Sequence, residues 1–227
     1  MTKKNSAYPY DMYDYEESEL VVSIMLNSEG IFDCSWEDKY SSFNVWIEGQ
    51  TPKEVKRKFL DALPSHIDRS WFKFSFCEEF EEERHEEIEK AIEIAVEMHR
   101  GQKTLEGKPY ITHLWDVMCS CIDYGDEYEI VAMLKDTRLS VEYLRKEGFT
   151  EDAIQAVDAI TQREDEAYED YIKRVAKNDV ALIVKENEVH NLLDMCLSLP
   201  KTEEIKEKIR QYRWTLEYIN LWTQRIV

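Results

Sequence analysis

The sequence predicts an α+β fold, a small N-terminal β-β-β-α-β module followed by a mostly α-helical domain. Three short runs between residues 18 and 49 are rich in β-branched and aromatic side chains, with polar turn-forming residues between them. From about Glu79 onward the apolar residues recur at helical spacing and strand signals almost vanish. The chain is 43% hydrophobic and 12% aromatic over 227 residues, ample for a packed core.

Residues 1–17, MTKKNSAYPYDMYDYEE, are tyrosine-rich and acidic without a period and read as a flexible acidic arm. SELVVSIML, GIFDCSW and SSFNVWIEG follow as strands, with Asn-Ser-Glu-Gly and Glu-Asp-Lys as the turns between them. Thr51-Pro52 then opens the helix TPKEVKRKFLDAL. Threonine caps it, proline suits its first turn, and Val55, Phe59, Leu60 and Leu63 form one apolar stripe. SWFKFSFC, residues 70–77, alternates as a last strand and completes the module of residues 18–78.

In the helical domain, residues 79–227, an acidic run leads into a helix whose Ile88, Ala91, Ile92, Ala95 and Met98 share a face, with Gly101 as its stop. Further helices are expected at 113–124, 127–135, 140–147, 150–161, 166–177, 179–197 and 202–224. No Gly- or Pro-rich linker separates the two parts, so they are expected to pack together rigidly.

Lys and Arg number 29 against 48 Asp and Glu, a formal charge of -19. A field of that sign repels a phosphate backbone, so nucleic acid is not an expected partner, although a local basic pocket is compatible with it. The two lysines at the start have no apolar run behind them, and no stretch approaches the length of a membrane span. The expectation is a cytoplasmic protein with no membrane partner. Five scattered cysteines, Cys34, Cys77, Cys119, Cys121 and Cys196, fit neither a disulfide framework nor a zinc knuckle and read as reduced core thiols.

One stretch holds more detail than a helix bundle requires. His99-Arg-Gly-Gln102 is followed by Glu106-Gly-Lys-Pro-Tyr-Ile-Thr-His113, where Gly101 and Gly107 permit tight turns, Pro109 stiffens the approach and His113 opens the next helix. HxGQ followed by GxPYIxH resembles the opening signature of HD-domain phosphohydrolases, in particular the RelA/SpoT-type alarmone (guanosine tetraphosphate) hydrolases and their small stand-alone relatives. The resemblance continues in order through Val131-Ala-Met-Leu134, Gly148-Phe149, AVDAITQREDEAYEDYIKRVAKND, Val184-Lys185 and His190-Asn191. It spans residues 85–220 and leaves the N-terminal module uncovered.

In that family the His of PYIxH, an adjacent His-Asp pair and a later Asp hold one divalent metal, usually manganese, which polarises a pyrophosphate and presents a hydroxide nucleophile. The resemblance carries the first ligand onto His113. At the second motif this chain reads Leu134-Lys135-Asp136-Thr137-Arg138-Leu139-Ser140, shorter by about four residues, or one helical turn. Either Lys135-Asp136 stands at the His-Asp pair, or Asp136-Thr137 is the remnant of a following Glu-Asp-Thr. Both alignments lose the second His, and a protonated lysine offers no lone pair and opposes a neighbouring cation. The third motif, Val184-Lys-Glu-Asn-Glu188-Val-His190-Asn191, is one residue short. Glu188 stands for the missing Asp, and whatever follows it is rotated by about 100° unless a bulge absorbs the change.

The resemblance therefore implies Asp136 and Glu188 as catalytic carboxylates, and His113, Asp136 and Glu188 as a reduced metal site. It implies Lys103, Lys108, Tyr110 and Asn191 as contacts to phosphate and base, and Lys135, a departure from the family pattern, is expected to join them in binding substrate. The leading expectation is a catalytically impaired pseudo-hydrolase without a cofactor, Lys135 supplying charge where the metal stood. Its partner is then a guanine nucleotide, another phosphorylated small molecule, or a protein. One alternative is an active Mn- or Mg-dependent phosphohydrolase of guanosine tetraphosphate or a related nucleotide. The other is an acidic protein-interaction module with a vestigial pocket.

Overall fold

Strands β1 (Leu20–Leu26), β2 (Phe32–Glu37) and β3 (Asn44–Gly49), helix α1 (Pro52–Ala62) and strand β4 (Phe72–Phe76) follow one another in the β-β-β-α-β order. The computed structural model describes residues 20–37, 44–63, 69, 72–76 and 85–226; the arm expected at 1–17 lies outside the described residues. β1, β2 and β3 form an antiparallel meander, and β4 joins parallel to β1, giving the sheet order β3-β2-β1-β4. In the β1–β2 turn the Asn27 side-chain oxygen accepts from the N–H groups of Glu29 (2.9 Å) and Ile31 (3.1 Å). Gly30 closes that turn at φ +75°, where a side chain would be strained.

Alternation along the strands places Val22, Ile24, Phe32 and Cys34 in the core. α1 covers them with Val55 and Phe59, and Phe59 meets Phe72 and Phe74 edge-on at 5.2 and 5.5 Å. Thr51 caps α1 by accepting from the Glu54 N–H at 3.2 Å, with Pro52 in the first turn.

The helical part comprises α2 (His85–Met98), α3 (Tyr110–Cys119), α4 (Asp126–Leu134), α5 (Val141–Glu147), α6 (Glu151–Ile160), α7 (Tyr168–Val175), α8 (Asp179–Ser198) and α9 (Glu203–Ile226). The helix expected over 113–124 begins three residues earlier and divides. Pro109, which has no N–H to leave unpaired, stands at its N-cap, and the Ser120 hydroxyl bonds back to Asp116 O where the chain tightens into a 3₁₀ turn at Ile122–Tyr124. α4 is the hub: Ile130 to Leu134 are buried without interruption, and α2, α3, α6 and α8 pack around it.

Sheet and helices share one continuous core, in which Val22, Phe32 and Phe59 cluster with Trp115, Met133 and Ile154. Phe32 meets Trp115 edge-on at 5.4 Å, Lys56 of α1 pairs with Glu89 of α2, and the Lys53 N–H donates to Glu93 at 3.0 Å. A Cβ at Gly30 would fall 2.8 Å from that of Pro109, so the β1–β2 turn rests directly on the loop entering α3. Cys34, Cys121 and Cys196 are buried thiols; Cys77 lies outside the described residues. No described helix is long and apolar enough to cross a membrane.

Candidate functional site

Three elements converge beneath the first turn of α3: the loop before it, the C-terminus of α4 and the middle of α8. The loop is tightly tied, with the Tyr110 N–H donating to Gln102 O (2.9 Å), the Thr104 N–H to Lys108 O (2.8 Å) and a bridge between Lys103 and Pro109. This places the Tyr110 ring 4.9 Å from that of His99 and 5.6 Å from that of His113. α4 ends at Leu134, Lys135 is its C-cap, and Asp136 (φ 64°) and Arg138 (φ 55°) both adopt the left-handed conformation. Each such residue costs on the order of 1 kcal/mol. The Thr137 hydroxyl steadies the turn by donating to Leu134 O at 2.6 Å.

That turn sends Lys135 inward, 1% exposed, and leaves Asp136 at the surface, 41% exposed. The Lys135 ammonium donates to Asp136 Oδ2 at 2.7 Å and to Glu188 Oε1 at 3.1 Å. Lys185, one turn before Glu188 on α8, donates to Glu188 Oε2 at 2.9 Å and lies 5.1 Å over the Tyr171 ring. The Tyr110 hydroxyl donates to Asp136 Oδ2 at 2.8 Å. His113 Nε2 stands 4.0 Å from Glu188 Oε1, beyond hydrogen-bond reach, and is buried without a partner among the described residues.

Two ammonium groups and Glu188 thus meet inside the fold, with Asp136 at its surface edge. Burial by itself would lower Lys135 and Lys185 and raise Asp136 and Glu188. The facing charges override it, holding both lysines above and both carboxylates below their ordinary ranges. His113 goes the other way: burial first, then the Lys135 charge, lowers it, so the imidazole is neutral at neutral pH. Burial pushes the Tyr171 hydroxyl up to about 12.

The resemblance implies a manganese ion among His113, Asp136 and Glu188, and the residues as they stand do not fit one. The Lys135 ammonium sits where the two carboxylates converge. A dication 4 Å from an ammonium is repelled by roughly 8 kcal/mol at an effective dielectric of about 20.

Beside this network opens a pocket of ≈ 530 Å³, lined among others by Gln102, Tyr110, Asp136, Arg138, Thr161 and Gln162. Arg138 is 73% exposed and faces Glu164 only at 4.0 Å. Lys103 and Lys108 lie exposed on the loop and do not line the pocket, Lys108 pairing with Glu106 at 3.1 Å. Asn191 does not line it either. α8 runs unbroken from Asp179 to Ser198, with no bulge to absorb the shortened third motif, and Asn191 donates to Ser120 Oγ at 3.4 Å while His190 is exposed.

His113, Lys135, Asp136, Glu188 and Tyr110 are therefore brought together, and Lys103, Lys108 and Asn191 are not. Sequence reasoning misses Lys185, Arg138, Gln162 and Tyr171 as site residues. Lys185-x-x-Glu188 did carry a signal, since i,i+3 spacing puts both on one helix face. The others reach the site from loops and from α7, with no local pattern to mark them. The chain matches no protein-family model, and no curated protein matches it.

Proposed function

We propose that this chain is a catalytically silent phosphohydrolase-like protein of the HD kind, whose pocket binds a phosphorylated small molecule without turning it over. The observation that carries the reading is the Lys135 ammonium seated between Asp136 and Glu188. Metal-dependent hydrolysis needs a Lewis acid with an open position for water. An ammonium supplies charge but has no such position. Both oxygens of Glu188 are taken by ammonium donors, so it is not poised as a general base, and Oδ2 of Asp136 already serves Lys135 and Tyr110.

What supports binding is the adjoining pocket. Its ≈ 530 Å³ falls within the size range of small-ligand sites. The Arg138 guanidinium on its rim suits a phosphoryl group, and the amides of Gln102 and Gln162 suit polar edges of a base. A guanine nucleotide is the first ligand to try, because of the sequence resemblance.

The test is calorimetry with guanosine tetraphosphate, with and without Mn²⁺, beside an assay for released pyrophosphate. Nucleotide binding that needs no Mn²⁺, weakens in Arg138→Ala and releases no product is expected. One Mn²⁺ per chain, lost in His113→Ala and accompanied by hydrolysis, would overturn the reading. No nucleotide binding at all would transfer the role to a protein partner.

A further inference from the structure

We infer that the small molecule bound by this chain is a phosphate ester carrying a compact apolar group, aryl or branched alkyl, and that this group lodges in a second pocket between α5 and α6. The inference rests on the reading above, that the larger pocket holds a phosphoryl group at Arg138.

The second pocket measures ≈ 220 Å³ and shares Arg138, Thr161 and Gln162 with the one of ≈ 530 Å³, so the two are compartments of one cleft. Their linings differ in chemistry. The larger is mostly polar, with Gln102, Tyr110, Asp136 and Thr137 among its walls. The smaller is floored by Leu139, Val141, Leu144, Ile154 and Val157, the last three of them at most 3% exposed. Branched aliphatic side chains offer no hydrogen bond, so that floor rewards only apolar surface taken out of water. Its volume is also below the roughly 300 Å³ at which sites for whole small ligands begin, which suits a substituent of a ligand held next door.

Arg138 stands at the junction, with the apolar floor on one side and the polar compartment on the other. Its partner Glu164 is 4.0 Å away, and Arg163, also on the rim of the smaller pocket, meets Asp158 at 3.5 Å. Exposed pairs of that length contribute little, so an entering phosphoryl group displaces Glu164 from Arg138 at small cost.

The wall between the compartments is the C-terminus of α6, where free carbonyls ordinarily oppose an anion. Here they are occupied. Arg174, itself paired with Glu166, donates to Asp158 O and Ala159 O at 2.8 Å and to Thr161 O at 2.9 Å, and the Tyr171 hydroxyl donates to Ile160 O at 2.6 Å. The wall is thereby fixed in place and turns the side chains of Thr161 and Gln162 toward the cleft in place of bare lone pairs.

The experiment is calorimetry on the full chain with phenyl phosphate, inorganic phosphate and guanosine tetraphosphate as separate probes. Phenyl phosphate is expected to bind about tenfold or more tighter than inorganic phosphate, and Arg138→Ala to weaken both. Val141→Phe, which fills the smaller compartment, and Leu139→Asn, which makes its floor polar, are each expected to bring phenyl phosphate down to the level of inorganic phosphate. Thermal melts establish that the variants fold, and the comparison of probes on the native chain decides by itself if they do not. Phenyl phosphate binding no tighter than inorganic phosphate, or a preference that survives in both folded variants, overturns the inference; guanosine tetraphosphate binding in that same chain leaves the silent-pocket reading standing. Failure of all three probes overturns both.

Discussion

Glu188 accepts one ammonium on each oxygen, Lys135 from the end of α4 and Lys185 from its own helix. Taking away one partner of a buried pair strands the other, so Lys135→Met is expected to lower the unfolding free energy by about 3–5 kcal/mol in urea titrations. Lys108→Met, which breaks a surface pair with Glu106, is expected to cost under about 1 kcal/mol. Equal losses in the two would contradict a buried network. The same groups set the pH response. His113 is held below its ordinary value of 6.5, so as pH falls through that value the unfolded chain takes up a proton the folded chain refuses, and stability declines. Asp136 and Glu188 contribute in full above their ordinary 3.8 and 4.5, and that contribution is lost as pH falls toward their lowered values. Lys135 and Lys185 contribute in full below 10.5 and lose it only in stronger alkali. Stability curves of the native chain and His113→Asn are therefore expected to diverge below pH 6.5 and run parallel above it; divergence above neutrality would contradict a neutral buried imidazole.

At the scale of elements, two glycines separate backbone strain from steric contact. Gly30 and Gly101 have nearly the same φ, +75° and +77°, yet a Cβ at Gly101 meets nothing within 4 Å while one at Gly30 strikes Pro109. Gly101→Ala is expected to cost about 1 kcal/mol from conformation alone. Gly30→Ala is expected to add about 1–3 kcal/mol for the displaced loop, and thermal melts of the pair would show the difference. Equal melts would mean the turn does not bear on α3. The elements themselves were legible because each carries a local signal: β-branched and aromatic runs in the strands, the i,i+4 pair Val55 and Phe59, the cap Thr51. The place of β4 was not, since a parallel pairing with β1 joins segments about fifty residues apart and leaves no mark in either. The site was legible in part for the same reason. Motif order singled out His113, Lys135, Asp136 and Glu188, and the residue missing from the third motif already put the aim of Asn191 in question, whereas the ion pair across 53 residues depends on how helices meet.

Among the described residues the main core reaches from the sheet through α4 to α6, with two smaller clusters where α9 packs. The molecule is expected to unfold in one cooperative step, with the slowest-exchanging amides of β1, β2 and α4 converging on the same free energy in hydrogen exchange. A sheet whose amides exchange through a much cheaper opening would show that the shared core does not couple the two parts. At the centre sits a positive charge that belongs to the polypeptide. Because Lys135 is made with the chain, its charge arrives at one per molecule when translation ends. Starvation cannot deplete it, and a competing ion cannot exchange with it. The charge at this position is thus set by the gene rather than by metal supply, and a chelator such as EDTA is expected to leave the unfolding midpoint where it was.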